Sequence, residues 1–432
     1  MSKKLTRRRR AVVLILVLWI ATVLSLLAYS VTYQMALETK LTSMRKKTVG
    51  ADALARAGLA VAFTDLRNDL LFDYSDKNGS PQPYDAISDV WYRPADERED
   101  GYELGENDGK YYFEVRDEER FLNLNVVAKP PAKPLLIAIL EQLGYEEEDA
   151  EIVASAIIDW ADADDQPALE TSPGNEGLTY GLFQAEDRGE SPREDDVERA
   201  ILPNEPYLTV EGLMDVYGVT PELFFGPETP EAIYYRQMIG ETAYDGGRFE
   251  LDRRSGSRRG EAPLGLRDFF TVYGSEKLNL NTAPKHILEA LFEAAGQSDP
   301  DGLAERVVRE RGDERRKPDP DNAFQNLGEV NSKVPELGAI VGAAGRFHPL
   351  DVKSEVFTVT ARGEEGGIAQ QLQVTVHRAL ETMQRDDSFE AIDRAKERLE
   401  RYEDKRERMR RRDDDERVFQ VPAIRIVQWH RE

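Results

Sequence analysis

Residues Arg7–Ser30 read RRRRAVVLILVLWIATVLSLLAYS. From Ala11 to Tyr29 this is an almost unbroken apolar run of about 19 residues, the length that crosses a bilayer as one helix. Lys3, Lys4 and Arg7 to Arg10 precede it, which favours a cytoplasmic N-terminus with the bulk of the chain outside. A secretory signal has a shorter apolar core and ends in a small-x-small site. LSLLAYSVTYQ, from Leu24 to Gln34, offers no good one, so the run reads as a permanent anchor.

The pattern continues beyond the membrane run. No proline occurs before Pro81, and apolar residues recur at Leu41, Met44, Leu54, Leu59, Val61, Leu66 and Leu70, the spacing of a helical stripe. Read as one helix from Ala11 to about Phe72, this is a rod on the order of 90 Å, greasy all round in its first half and amphipathic in its second. Such a helix can lie in lipid at one end and pack on a sheet at the other. The alternative is a plain anchor followed by a separate soluble helix.

The 432 residues are 40% hydrophobic and 32% charged, enough for a sizeable core. A net charge of -25 argues against nucleic acid, whose binding needs clustered Lys and Arg to release counterions. The absence of cysteine removes disulfides, thiolate metal sites and thiol nucleophiles together. His286, His348, His377 and His430 are the only histidines, and no two have the i, i+4 spacing of a helical zinc site. There is also no phosphate-cradling Gly-rich loop and no G-x-S-x-G elbow.

Strand patterns lie at both ends of what remains. KYYFEVRDEERFLNLNVV predicts strands at Tyr111–Arg116 and Phe121–Val126 joined by an acidic turn. SEVFTVTARGEEGGIAQQLQVTVHRAL predicts a hairpin about Gly363–Gly367, and PAIRIVQWHRE adds a last strand ending at Trp429. Between them PLLIAILEQLG, DAEIVASAIIDWAD, TVEGLMDVYG, KHILEALFEAAG and LAERVVRERG read as helices, an all-helical insert within a helix-plus-sheet domain. The charged stretch 385–417 carries a thin seam of Ile392, Ala395, Leu399, Tyr402 and Met409, either a solvated helix or a partner-binding coiled coil.

Two segments stand out chemically. AIIDWADADDQP (Ala156–Pro167) places Asp159, Asp162, Asp164 and Asp165 about a helix end near Ala163, where the macrodipole is already negative. Something positive must offset the repulsion: an Arg from elsewhere, or a hard cation such as Ca²⁺. FLNLN at Phe121–Asn125 returns as KLNLNTAP at Lys277–Pro284. In the second copy Leu278 and Leu280 face one way, Asn279 and Asn281 the other. Thr282 is placed to cap the following helix, with Pro284 in its first turn. A DNA-contacting role for the NLNTAP segment is the competitor, opposed by the overall charge.

The basic leader, the early apolar helix and ADALARAGLAVAF (Ala51–Phe63) resemble a type IV pilin-like protein. With NLNTA, D-W-x-D-x-D-x-x-P and LPNEPYLTVEGLMDVYGVTPELFFG (Leu202–Gly226), the chain resembles the K family of minor pseudopilins of the type II secretion system. The resemblance implies an α+β, type IV pilin-like fold: a long N-terminal helix packed on a small antiparallel sheet, with a large inserted all-helical domain. The expected parts are a leader at 1–11, a helix at 12–72, the pilin-like domain at 73–129 and 350–432, and the insert at 130–349. It further implies cutting by prepilin peptidase between Ala11, in place of the usual Gly, and Val12, whose new amine is methylated. Leu16 stands where most pilins carry Glu, which suits a tip subunit with no predecessor to pair with; it equally suits a plain lipid-facing residue.

The expected function is structural. A non-enzymatic subunit at the tip of the periplasmic pseudopilus initiates or caps its assembly, anchored in the inner membrane by one span. Its expected partners are I- and J-type minor pseudopilins, the major pseudopilin, prepilin peptidase and the inner-membrane secretion platform. Calcium is expected at the aspartate cluster, since members of the family bind it. The alternative is a membrane-anchored periplasmic hydrolase built on Asp159 and Asp162.

Overall fold

A computed structural model describes residues 2–74, 84–93, 101–104, 109–169, 176, 202–239, 263–312, 319, 322–338, 346–383 and 419–431. Helix α1 (Ser2–Tyr74) is unbroken over 73 residues, about 110 Å at 1.5 Å per residue. It is long and apolar enough to cross a membrane. Ile15, Leu16, Leu18, Trp19 and Leu26 are exposed along its first half. From Ala51 onward the environment changes, and Ala51, Leu54, Ala55, Leu59, Ala62, Leu66 and Leu70 form one buried stripe at three- and four-residue spacing.

That stripe packs on a five-stranded antiparallel sheet ordered β1-β2-β7-β8-β9. Its members are β1 (Tyr102–Glu103), β2 (Lys110–Asp117), β7 (Val356–Glu365), β8 (Ile368–Met383) and β9 (Phe419–Arg431). Alternate residues face the helix, which fixes the register: Phe113 opposes Ala361, which opposes Leu372, and Val115 opposes Val359, which opposes Val374. Trp91 closes this core edge-on against Phe357 at 5.2 Å. The β7–β8 hairpin turns on Gly366 and Gly367, with φ of 54° and 81°, the left-handed pair that a two-residue hairpin needs. Helix and sheet touch closely at Gly363, where a Cβ would run into the Ala51 carbonyl.

Between β2 and β7 lies a helical insert with a core of its own, centred on Leu135, Ile139, Ile157, Leu278, Leu280, Ile287, Leu291 and Phe324. Its helices are α2 (Leu124–Val127), α3 (Lys133–Gln142), α4 (Glu147–Ala161), α5 (Pro221–Phe225), α6 (Pro230–Ile239), α7 (Lys285–Ala294), α8 (Pro300–Arg311) and α9 (Leu327–Lys333). The architecture is therefore α+β, a long helix on an antiparallel sheet with a helical insert.

Three local expectations change, and one turn has an unforeseen environment. Phe121–Val126 is not a second strand of the main sheet: only Leu122–Asn123 (β3) is extended, and it pairs in parallel with Phe270–Thr271 (β4) of the insert. The turn before it, Asp117–Glu119, is buried although acidic. TVEGLMDVYG forms a short 3₁₀ segment, Val210–Asp215, rather than an α-helix; of its side chains Leu213 alone is buried, too narrow a stripe to hold several turns. The insert is also not purely helical, since Leu278–Asn279 (β5) pairs in parallel with Leu350–Asp351 (β6). The charged stretch 385–417 lies outside the described residues.

Arg378 of β8 ties the layers together. It is 2% exposed, with Nη1 donating to Asp69 of α1 at 2.9 Å and Nη2 pairing with Asp85, while its guanidinium lies 4.7 Å from the Phe357 ring centre. Arg378→Met fills similar volume but leaves two buried carboxylates without their cation, which costs about 3–5 kcal/mol. Urea unfolding of the detergent-solubilised protein is expected to show that loss, with the Asp69→Asn/Asp85→Asn/Arg378→Met triple variant recovering much of it.

Candidate metal centre

Helix α4 carries Glu147, Glu148 and Asp149 in its first turn, where negative charge favours the dipole. Its buried face runs through Ile152, Val153 and Ile157 and then, against the hydrophobic pattern, to Asp159, which is 2% exposed. The helix ends at Ala161, and Asp162 is its extended C-cap. The loop folds back on itself: Asp164 Oδ1 accepts from the Gln166 amide at 2.8 Å and Asp159 Oδ1 from the Ala168 amide at 2.8 Å. Tyr207 fastens the last turn from the other side by donating to the Ile157 carbonyl at 2.9 Å.

The four aspartates do not converge as one group. Asp164 and Asp165 are exposed, whereas Asp159 and Asp162 turn inward and meet Glu176, 1% exposed, with oxygens from all three within 4.8 Å of one another. Sequence reasoning missed Glu176, which sits in an acidic stretch with no periodicity to set one carboxylate apart from the next. Among the described residues no donor reaches the buried Asp162 Oδ1, either Glu176 oxygen or Asn204 Oδ1. Asn204 donates its amide to the Asp164 carbonyl at 3.1 Å, which places it beside the loop. The nearby cation, Lys133, is engaged with Glu151 at 3.0 Å and with the Ala168 carbonyl at 3.0 Å.

Burial first, and the charge of Asp162 next among the raising causes, push Asp159 up to about 7. Burial, then Asp162 and Asp159, push Glu176 up to about 8. Burial and Asp164 also raise Asp162. Three inward carboxylates with orphaned oxygens at a helix C-terminus fit a hard divalent cation, which takes oxygen ligands and would hold all three ionised. Asp159, Asp162 and Glu176 are the residues that would bind it.

The second carboxylate group, Asp69, Asp85 and Asp89, is a different case, because the Arg378 guanidinium already bridges two of its members.

The two sequence echoes repeat in three dimensions. In each, the first Asn accepts from the backbone two residues on: Asn123 from the Asn125 amide at 3.0 Å, Asn279 from the Asn281 amide at 2.9 Å. The second Asn then clasps a remote backbone through both side-chain atoms, Asn125 at Tyr207 (2.7 and 3.0 Å) and Asn281 at Phe324 (2.8 and 2.8 Å). Asn279 and Asn281 are 0% exposed, out of reach of any nucleic acid. Thr282 does not cap α7. Its hydroxyl donates to Asp117 at 2.5 Å, and the N-cap position belongs to Pro284, which has no side-chain acceptor. Arg311 holds the same turn by donating to the Leu280 and Ala283 carbonyls.

Among the histidines, His348 is buried and accepts from the Asn123 amide at 3.1 Å. His286 meets the Asp268 carbonyl at 3.1 Å, and His377 meets Glu355 at 3.3 Å. Ala11 and Val12 lie within α1, and Leu16 is 57% exposed on it.

Residues 120–225 match the family model described as Type II secretion system (T2SS), protein K. The resemblance read from FLNLN and DWADADD is thereby shown over that segment. No curated protein matches the chain. Among solved structures, a chain of the GspK-GspI-GspJ complex from the enterotoxigenic Escherichia coli Type 2 Secretion System aligns with 79% of this chain and 94% of its own. The identity is 14% and the TM-score 0.46.

Two outcomes are expected. Asn281→Leu strips two buried backbone groups at Phe324 of their partners, at about 1–3 kcal/mol each, so urea unfolding should register a loss in that range or its double. Without metal, Asp159 and Glu176 hold protons in the folded state that the unfolded chain releases near 3.8 and 4.5. Stability in EDTA therefore falls as pH rises through about 7 and about 8, because the folded state binds more protons throughout that window. Millimolar calcium should flatten the fall in melting temperature, and Asp159→Asn should remove the calcium effect. Superimposable pH profiles with EDTA and with calcium would sink the metal assignment.

Proposed function

We propose that this protein, whose residues 120–225 form a protein K domain of the type II secretion system, is a minor pseudopilin, a structural subunit that starts or caps the pseudopilus. The family match over that segment carries the reading, and the course of α1 supports it. The helix is exposed and apolar where a filament core or a membrane would surround it and buried where it meets the sheet. One continuous rod therefore serves as membrane anchor before assembly and as packing surface within the filament.

In this reading the basic leader stays in the cytoplasm and the sheet and insert lie in the periplasm. Prepilin peptidase cuts between Ala11 and Val12. Leu16 places no carboxylate in the apolar helix; such a group costs some 2 kcal/mol or more in hydrocarbon, and a subunit with no predecessor has no amine to offer it. The exposed stripe of α1 packs against I- and J-type minor pseudopilins, and the helical insert sits above them, too bulky for a further subunit to stack on. The major pseudopilin and the inner-membrane platform then extend the filament from below. The protein catalyses no reaction of its own. Calcium at Asp159, Asp162 and Glu176 locks the loop after α4 in place. The hydrolase reading has no observation in its favour.

Mass spectrometry of the N-terminus, after expression with and without a prepilin peptidase, tests the proposal. The expected result is a methylated Val12 terminus that appears only with the enzyme. An intact Met1 or Ser2 terminus in both samples would reduce α1 to a plain anchor.

A further inference from the structure

Between the apolar run and the sheet, α1 is bare. Arg10 closes the basic leader, and about 20 residues of helix cross about 30 Å of hydrocarbon, so a span that begins at Ala11 ends near Ser30. Tyr29 and Tyr33 mark that level: both are exposed, and their rings stack with centres 6.5 Å apart, in keeping with the aromatic belts of membrane interfaces. Every residue from 24 to 46 is exposed. Lys47 is the first to be partly covered, and its Nζ donates to the Gly366 carbonyl in the β7–β8 turn at 2.9 Å. About 25 Å of uncovered helix therefore separates the edge of the hydrocarbon from the tip of the sheet.

That bare stretch is cationic in an acidic chain. Lys40, Arg45 and Lys46 are exposed, and Glu38 is the one acid between Ser30 and Gly50. Among the described residues no carboxylate pairs with any of the three cations. Lys and Arg gather on the cytoplasmic flank of a span, so Lys40 and Arg45 to Lys47 on the far flank run against that bias, although the leader still outnumbers them. At 3.6 residues per turn Arg45 and Lys46 lie about 140° and about 240° around the helix from Lys40, which makes a collar and not a stripe. A protein partner meets one side of a helix; a bilayer surrounds it. Helical side chains lean toward the N-terminus, here toward the membrane. Lys40 stands about 15 Å past Ser30 along the axis and leans back over a headgroup layer about 5–8 Å deep. Arg45 and Lys46 lean back to within roughly one Debye length of the headgroups, about 8 Å at physiological salt, and a tilt of about 20° brings one side closer still.

We infer that the collar of Lys40, Arg45 and Lys46 is a docking surface for anionic phospholipid headgroups, on the leaflet from which the sheet projects. The inference rests on the reading of Ala11–Tyr29 as a membrane span. Helix α1 is unbroken from Ser2 to Tyr74 and has neither Gly nor Pro between Val12 and Val49, so it carries no hinge of the usual kind. Whatever holds the collar therefore sets the tilt of the whole rod, and with it the height of the sheet above the lipid. An anionic leaflet pulls the unassembled subunit down into a lean, and moving the helix out of lipid into a filament has to break those contacts.

The chain has no cysteine, so a donor dye attaches only where one is introduced. Thr64→Cys, exposed on the part of α1 that lies on the sheet, reports the height of the sheet by energy transfer to an acceptor dye among the headgroups. The full chain is placed in nanodiscs of phosphatidylcholine alone and of equal parts phosphatidylcholine and phosphatidylglycerol. Transfer should be higher with phosphatidylglycerol, and the difference should vanish between about 0.1 M and about 1 M salt, as the Debye length falls from about 10 Å to about 3 Å. The variant Lys40→Gln/Arg45→Gln/Lys46→Gln changes only exposed side chains and should give one transfer value in both lipids. Arg309→Gln, exposed on α8, should respond as the parent does. Equal transfer for the parent in the two lipids would overturn the inference and leave the collar to a protein partner. So would a collar variant that keeps the dependence on phosphatidylglycerol. Co-elution with the discs tests the span separately: a chain that leaves them overturns the anchor reading, and the collar with it.

Discussion

A single guanidinium in the interior sets the frame of this molecule. Arg378 reaches from β8 to Asp69 on α1 and to Asp85 on the segment that follows it. A charge buried at 2% exposure survives only with its counter-charges fixed in place, so helix, returning segment and sheet can settle in one arrangement. The Asp85 carboxylate continues the chain of bonds by accepting from the Ser354 amide at 2.8 Å, and Ser354 donates in turn to Asp117. The polar network therefore runs without a break from α1 to the insert.

The hydrophobic parts divide the labour differently. The sheet and α1 form one apolar core, the insert another, and what joins them is polar. Within the insert the repeated LNLN segment works twice as a peg. Its leucines enter the core while its second asparagine imitates a strand partner for a distant loop, 82 residues away at Tyr207 and 43 at Phe324. Asparagine suits this because one side chain presents a donor and an acceptor in the geometry of a peptide group.

The carboxylates at the end of α4 and those at the neck between sheet and insert look alike in composition and differ in what neutralises them. At the neck every oxygen of Asp117 and Glu119 has a donor. At the α4 loop several oxygens have none among the described residues, and the macrodipole adds to the deficit. Donors on every oxygen offset the burial of the neck carboxylates, whereas orphaned oxygens leave room for a cation.

Periodicity along the chain was enough to identify the long helix, the β7–β8 hairpin about Gly366 and Gly367, and the stripes of α3, α4 and α7. Each of these depends on residues a few positions apart, and the side-chain pattern records that directly. The motifs AIIDWADADDQP and KLNLNTAP were visible for the same reason. Burial of the acidic turn at Asp117–Glu119, the arrival of Glu176 beside Asp159, the turning of Thr282 away from its helix towards Asp117, and the collapse of Phe121–Val126 to a two-residue strand were decided in three dimensions. All of them join residues tens to hundreds of positions apart, and a carboxylate's identity does not say whether it will meet water, a guanidinium, an amide or another carboxylate. Local sequence determined which elements form; the tertiary structure decided which of their charges had to be buried, because only the packed core fixes where water is excluded.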